Sequence, residues 1–205
     1  MNKIFYVCSY GGCGSKMLTA ALARYGTVYH VHTRFPTEKL QYITNEQFNG
    51  VEVPPELLKN YYVIYIYKNP VKAILSRFTG RVAFNKKHLR HVGCSPNITV
   101  DAVINQSTDL YQLQQFYDNY TKPAHRNYDV YCVKYEDIFE RQAELSTVLK
   151  IGPLNLVRKE SDHSELESKH PQLYSIYNDL IQQMAKNDFI FVQKHPRVLS
   201  KLAFS

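Results

Sequence analysis

Four stretches of the chain are dense in aromatic and β-branched residues and poor in charge: residues 3–9, 28–32, 62–67 and 129–134. Runs of this composition and length predict strands. From Tyr61 to Tyr67 every side chain is apolar or aromatic, as expected for a strand covered on both faces. Elsewhere apolar positions recur at helical spacing. Met17, Leu18, Ala21 and Leu22 make one stripe, and Ala73, Ile74 and Phe78 make a second. A third runs through Leu173, Ile176, Tyr177, Leu180, Ile181 and Met184, and reads as core. Helices are predicted near 15–25, 70–80, 99–120, 138–150 and 165–186. Strands alternating with helices build a parallel sheet with helices on both faces. The expectation is an α/β chain, residues 1–205 as a single domain, three layers α/β/α around a central parallel sheet. Segment 33–60 fits neither period, although Pro54-Pro55 begins a short helix or turn. Phe189-Ile190-Phe191-Val192 suits a short final strand. Residues 81–98, with Lys86, Lys87, His88, Arg90, His91, Gly93 and Pro96, read as a mobile basic loop: a lid, an acceptor-binding loop or an inert solvated one.

Two strand-to-helix turns stand out. After the first strand come Gly11, Gly12, Cys13, Gly14, Ser15 and Lys16. Glycines permit positive φ and close approach of a ligand, and Ser15 is placed to cap the helix that follows. A helix that begins after a glycine turn offers N–H groups to an anion. The Walker pattern requires Gly-Lys followed by Ser or Thr, whereas this chain reads Gly14-Ser15-Lys16-Met17, so that pattern fails. After the third strand come Lys68, Asn69 and Pro70, with Pro70 suited to a first helical turn and Ser76 eight residues beyond Lys68. Two anion-binding turns in one small domain suggest a ligand with phosphates at two places.

These features resemble the sulfotransferases that use 3′-phosphoadenosine-5′-phosphosulfate (PAPS). Tyr65-Ile66-Tyr67-Lys68-Asn69-Pro70 with Ser76 is similar to the family's second signature, with Lys in place of Arg. The resemblance implies that Lys68 and Ser76 hold the 3′-phosphate. Gly11, Gly12, Cys13, Gly14, Ser15 and Lys16 line up with the first signature, which holds the 5′-phosphosulfate. Val130-Tyr131-Cys132-Val133-Lys134-Tyr135-Glu136-Asp137 looks like the family's strand ending in Tyr-Glu-Asp. A P-loop-like scaffold, PAPS as donor, adenosine 3′,5′-bisphosphate as product and no metal are the corresponding expectations. One departure stands out: where the family carries a Lys or Arg on the first turn, this chain has Gly12. Lys16 or Arg34 is then expected to supply that cation.

The chain has 205 residues, enough for one substantial core, and its Lys and Arg outnumber Asp and Glu by 25 to 18. A basic balance suits an anionic donor, or is simply a solvated basic surface. No zinc-finger spacing, RNA-binding signature or long basic run points to nucleic acid. Cys8, Cys13, Cys94 and Cys132 lack metal-ligand spacing and are expected to be reduced. No signal peptide or membrane-spanning run is read, so a soluble, cytoplasmic protein acting on a small-molecule or glycan acceptor is expected, with oligomeric state open. His32, at the carboxyl end of the second strand, is the leading candidate base for the acceptor hydroxyl, with pKa near the ordinary value of about 6.5. His30 on the same face, and His88 or His91 in segment 81–98, are alternatives; His125, His163, His170 and His195 are expected on the surface. Two other readings stay open. One is a P-loop kinase of a nucleotide or small molecule; the other is a relative that binds adenosine bisphosphate with little or no catalysis.

Overall fold

Alternate residues of the central strands face opposite ways, and the two sets enter two separate cores. The computed structural model describes residues 2–79, 82–158 and 164–195. In chain order its elements are β1 (Lys3–Cys8), α1 (Ser15–Leu22), β2 (Gly26–Val31), β3 (Gln41–Thr44), β4 (Gln47–Glu52), β5 (Tyr61–Tyr67), α2 (Pro70–Phe78), α3 (Val82–His91), α4 (Val100–Gln106), α5 (Leu113–Thr121), β6 (Val130–Lys134), α6 (Gln142–Val148), α7 (Ser164–Lys169), α8 (Gln172–Ile176), α9 (Asn178–Ala185) and β7 (Ile190–Gln193). The main sheet has the order β2-β1-β5-β6-β7. Phe5 and Val7 of β1 and Ile64 and Ile66 of β5 pack with Leu18 and Leu22 of α1 and Leu145 of α6. Tyr6, Cys8, Tyr65 and Tyr67 point the other way, onto Val71, Ile74 and Leu75 of α2 and Phe116 and Tyr120 of α5. This second core is rich in stacked rings, with Tyr65 and Tyr120 only 4.5 Å apart between centroids. The chain is therefore an α/β protein with a mainly parallel sheet flanked by helices.

Several expectations are corrected. The sheet is mixed: β7 runs antiparallel to β6, in register from Val130 opposite Gln193 to Val133 opposite Ile190. The ambiguous segment 33–60 holds an antiparallel pair, β3 and β4, apart from the main sheet. The helix expected over 99–120 is two, because Ser107 and Gln112 take left-handed backbone and the Asp109 carboxylate accepts from the Gln114 N–H at 2.9 Å and the Tyr177 hydroxyl at 2.8 Å. The stripe over 165–186 is likewise divided into α7, α8 and α9, since Pro171 has no N–H with which to continue α7. Segment 81–98 is no mobile loop: α3 covers Val82–His91, and Leu89 and Val92 are core residues. Position 80 of the expected helix 70–80, position 81 and His163 lie outside the described residues.

The strand order positions a site. From β1 the chain crosses to β2 on one side and then returns to β5 on the other. The crossover helices follow suit, with α1 on one face and α2 on the opposite face. The carboxyl ends of β1 and β5 thus flank a topological switch point, where doubly wound sheets open a crevice. Both sequence-predicted turns leave these two strand ends.

Candidate functional site

The first turn is shaped by backbone. Gly12 and Gly14 have φ of 72° and 75°, in the left-handed region that side chains avoid. Space excludes a side chain as well. A Cβ on Gly12 would lie 2.6 Å from the Ala73 carbonyl oxygen, and one on Gly14 would lie 2.3 Å from the Tyr135 ring. Gly14 is the left-handed residue that opens α1, and the Met17 and Leu18 N–H groups both return to its carbonyl. Ser15 does not cap this helix, contrary to expectation. It is buried, with its Oγ 2.8 Å from the Ser9 hydroxyl that donates to it and 2.8 Å from His30 Nε2. Ser15 thereby ties the turn to β1 and β2. Cys13 is buried beneath the turn, where burial pushes its thiol up to about 12, and its Sγ lies 3.2 Å from the Gly11 carbonyl.

The second turn is braced by side chains. Asn69 caps α2, its Oδ1 accepting from the Val71 and Lys72 N–H groups at 3.0 and 3.3 Å. Its own N–H donates to Glu136 Oε1 at 2.8 Å, so the segment just after β6 holds the turn from the side. Pro70 begins the helix as expected. Lys68 is left facing the crevice, with Nζ 4.9 Å from the centre of the Tyr135 ring, and burial lowers its pKa.

One cavity of about 860 Å³ joins the two turns. Gly11, Gly12, Gly14, Ser15, Lys16, His32, Lys68 and Ser76 all line it; of the expected ligand-binding residues only Cys13 does not. His30, Arg77, Thr79, His88 and Tyr135 complete much of its wall. Among the described residues, the lining contains Lys16, Lys68 and Arg77 and no carboxylate. An anion-attracting field follows from that imbalance.

Four histidines gather at the β2 side. The His32 ring lies 4.3 Å from His30, 5.0 Å from His88 and 5.9 Å from His91, centroid to centroid. Hydrogen bonds fix two of their tautomers. His32 Nδ1 is 2.6 Å from the Ser9 carbonyl, which can only accept, so Nδ1 carries the hydrogen and Nε2 keeps a lone pair. His88 Nε2 is 2.6 Å from the Tyr10 carbonyl and is the donor there. Burial, followed by the neighbouring His30, lowers His32 to about 4; burial and then Lys16 lower His30 to about 4. Burial and the Arg77 guanidinium lower His88 to about 3. The expectation of an unperturbed His32 is therefore corrected: it is neutral well into mild acid. Despite the cluster, no group of three or more His, Cys, Asp or Glu among the described residues is arranged to hold a metal.

No family model matches the chain. Neither do any curated protein or solved structure.

Arg34, expected as an alternative cation, is elsewhere. Its Nη2 donates to the Gly93 carbonyl at 2.9 Å, and it stacks over Phe35, outside the cavity lining. Arg77 is the guanidinium that sequence reading missed. A signal was present: Ala73, Ser76 and Arg77 share one face of α2, and Ala73 lies against Gly12. His88 is buried on α3, whereas His195 pairs with Asp129 at 2.8 Å, away from the site. All four cysteines are free and buried, as expected. No helix among the described residues is long and apolar enough to cross a membrane.

Proposed function

We propose that this protein is a sulfotransferase that moves a sulfuryl group from PAPS to a hydroxyl or amine of a small-molecule or glycan acceptor, on a P-loop-like three-layer scaffold. The observation that carries the reading is the one cavity that joins both turns at the switch point: among the described residues its lining has two turns suited to anions, Lys16, Lys68 and Arg77, no carboxylate, and a neutral histidine with a free nitrogen. The residues present fit such a donor. The glycine turn gives the cavity a backbone wall against which a 5′-phosphosulfate would lie, and Lys68 and Ser76 line the same cavity, where a 3′-phosphate would lie. Tyr135, between Lys68 and the glycine turn, offers a ring face for a base or sugar to stack on.

Bound there, the donor supplies a sulfur that gains a bond to the acceptor oxygen as its bond to the bridging phosphate oxygen breaks, the electron pair staying with the phosphate. His32 Nε2 is positioned to take the acceptor's proton, while the Ser9 carbonyl holds its ring in the required tautomer. The α1 N-terminus and the cations offset negative charge on the donor. Lys68 contributes charge without the two-pronged contact that Arg makes. A magnesium-dependent kinase would need a carboxylate to hold its metal beside the phosphates, and among the described residues the lining offers none.

Transfer of labelled sulfate from PAPS to a panel of phenols, alcohols, amines and glycans tests the reading. Label is expected in at least one acceptor without added metal. Label transferred only from γ-labelled ATP with magnesium would contradict it and favour the kinase.

A further inference from the structure

We infer that Arg77 is the cation that grips the anion seated on the glycine turn; this deepens, and rests on, the donor-binding reading above. The first observation is steric. α2 fills the space a side chain on Gly12 would need, while His88 of α3, at 2.7 Å, closes the space beside Gly11 and Arg77 flanks it. A Cβ on Gly12 would meet the Ala73 carbonyl at 2.6 Å and Arg77 Cβ at 3.3 Å, and one on Gly11 would meet Arg77 Cδ at 3.4 Å. The stem of Arg77 therefore runs along the turn past two consecutive residues. A cation at position 12 itself has no room; a cation lying across the turn from α2 does.

The second observation is where the guanidinium is held. Arg77 lines the cavity, and its Nη1 donates to Asn85 Oδ1 at 2.9 Å, which fixes the head from α3. Arginine keeps its charge despite half-burial; with Nη1 on Asn85 and Nη2 enclosed, its fork is held rigid and presents that charge at the cavity wall. His88 stands with it beside Gly11, its Nε2 committed to the Tyr10 carbonyl, and the His32 ring is 5.0 Å from that of His88. Cation and base thus line the same cavity, each near His88.

The chemistry gives this placement a role. As the acceptor oxygen bonds to sulfur, the sulfur–oxygen bond to the phosphate breaks and its electron pair remains on that phosphate oxygen. The 5′-phosphate gains a negative charge, and the acceptor's proton leaves to His32. A guanidinium fixed in advance next to that oxygen stabilises the charge as it forms, without reorganisation. It also binds the resulting 5′-phosphate in the product.

The test compares two ligands that differ in that phosphate alone. Calorimetric titration uses adenosine 3′,5′-bisphosphate and adenosine 3′-monophosphate against the unaltered protein, Arg77→Gln and Arg77→Lys, with circular dichroism and thermal unfolding to check that each variant is folded. Arg77→Gln is expected to weaken bisphosphate binding by about 10- to 100-fold, the loss for one hydrogen-bonded charge, and to leave 3′-monophosphate binding nearly unchanged. Arg77→Lys should fall between, keeping the charge and losing the fork. If the unaltered protein binds the bisphosphate but both ligands weaken equally in Arg77→Gln, or neither does, the assignment is overturned and the donor reading stands. If the unaltered protein fails to bind the bisphosphate, both fall.

Discussion

The two turns that flank the switch point reach similar ends by different means. The turn after β1 is built from backbone: left-handed glycines, a helix start and a buried Ser9–Ser15–His30 hydrogen-bond chain beneath it. Its charged partner, Arg77, arrives from another helix. The turn after β5 is built from its own side chains: Asn69 caps, Pro70 starts the helix, Lys68 carries the charge, and one outside group, Glu136, braces it. A turn of the first kind tolerates no side chain, because its shape and its neighbours both forbid one. A turn of the second kind should degrade gradually as side chains are trimmed.

The sharpest way to break this comparison is Gly12→Ala. The left-handed φ alone costs about 1–3 kcal/mol, and the contact with the Ala73 carbonyl adds to it because backbone cannot move aside cheaply. Urea unfolding should show a loss of at least that size, and stabilisation by bisphosphate should vanish. A variant of unchanged stability that still bound ligand would mean that the glycine turn is far softer than described.

His32→Ala comes next. Transfer should fall by about 10²–10⁴-fold, the usual contribution of a placed base, with bisphosphate affinity nearly unchanged. The pH response has a definite sign. The base acts when neutral, and its pKa in the free protein is lowered to about 4, so kcat/KM should hold through neutrality and fall as pH drops through about 4. Stability follows the same direction. Below about 6.5 an unfolded histidine binds a proton that the buried one refuses, so unfolding becomes easier as pH falls from there toward 4. Replacing His32 should flatten the activity curve and lessen the stability slope, to which His30 and His88 still contribute; an unaltered activity curve would move the base to another member of the cluster.

Asn69→Ala tests the other side of the comparison and should have the smallest effect. Removing the cap costs about 1 kcal/mol of stability, while Lys68 stays tethered by Pro70 and the strand. Chemical denaturation should register that modest loss, with bisphosphate affinity reduced by only a few-fold. Complete loss of binding would show that the second turn is as intolerant as the first.

The difference between the turns also decided what was legible in the sequence. Lys68, Asn69, Pro70 and Ser76 are local, so a strand followed by these residues announces its own chemistry. The glycines, Ser15 and Lys16 are equally local, and their place at the head of α1 was foreseen. Helical spacing puts Arg77 on one face with Ala73 and Ser76, but that α2 and α3 bring Arg77 and His88 to the first turn is set by packing, which no spacing along the chain specifies. The same holds for the fold. Dense apolar runs identified the four parallel strands; β1, β5 and β6 lie largely buried, which demands such composition, and β2 is the half-buried edge. The direction of β7 depends on how α7–α9 return the chain, and the division of 99–120 depends on Asp109 meeting Tyr177, far away in sequence. Segment 81–98 misled because its exposed face is basic, while Leu89 and Val92 lie in the core.

The central claim is that one cavity reads two phosphates through these two turns, and calorimetry tests it most directly. The unaltered protein and Lys68→Ala would be titrated with adenosine 3′,5′-bisphosphate and adenosine 5′-monophosphate, without metal. The account predicts that the unaltered protein prefers the bisphosphate, and that Lys68→Ala loses about 1.5–3 kcal/mol of bisphosphate affinity and little or none for the monophosphate. Equal affinity for the two nucleotides in the unaltered protein would contradict it.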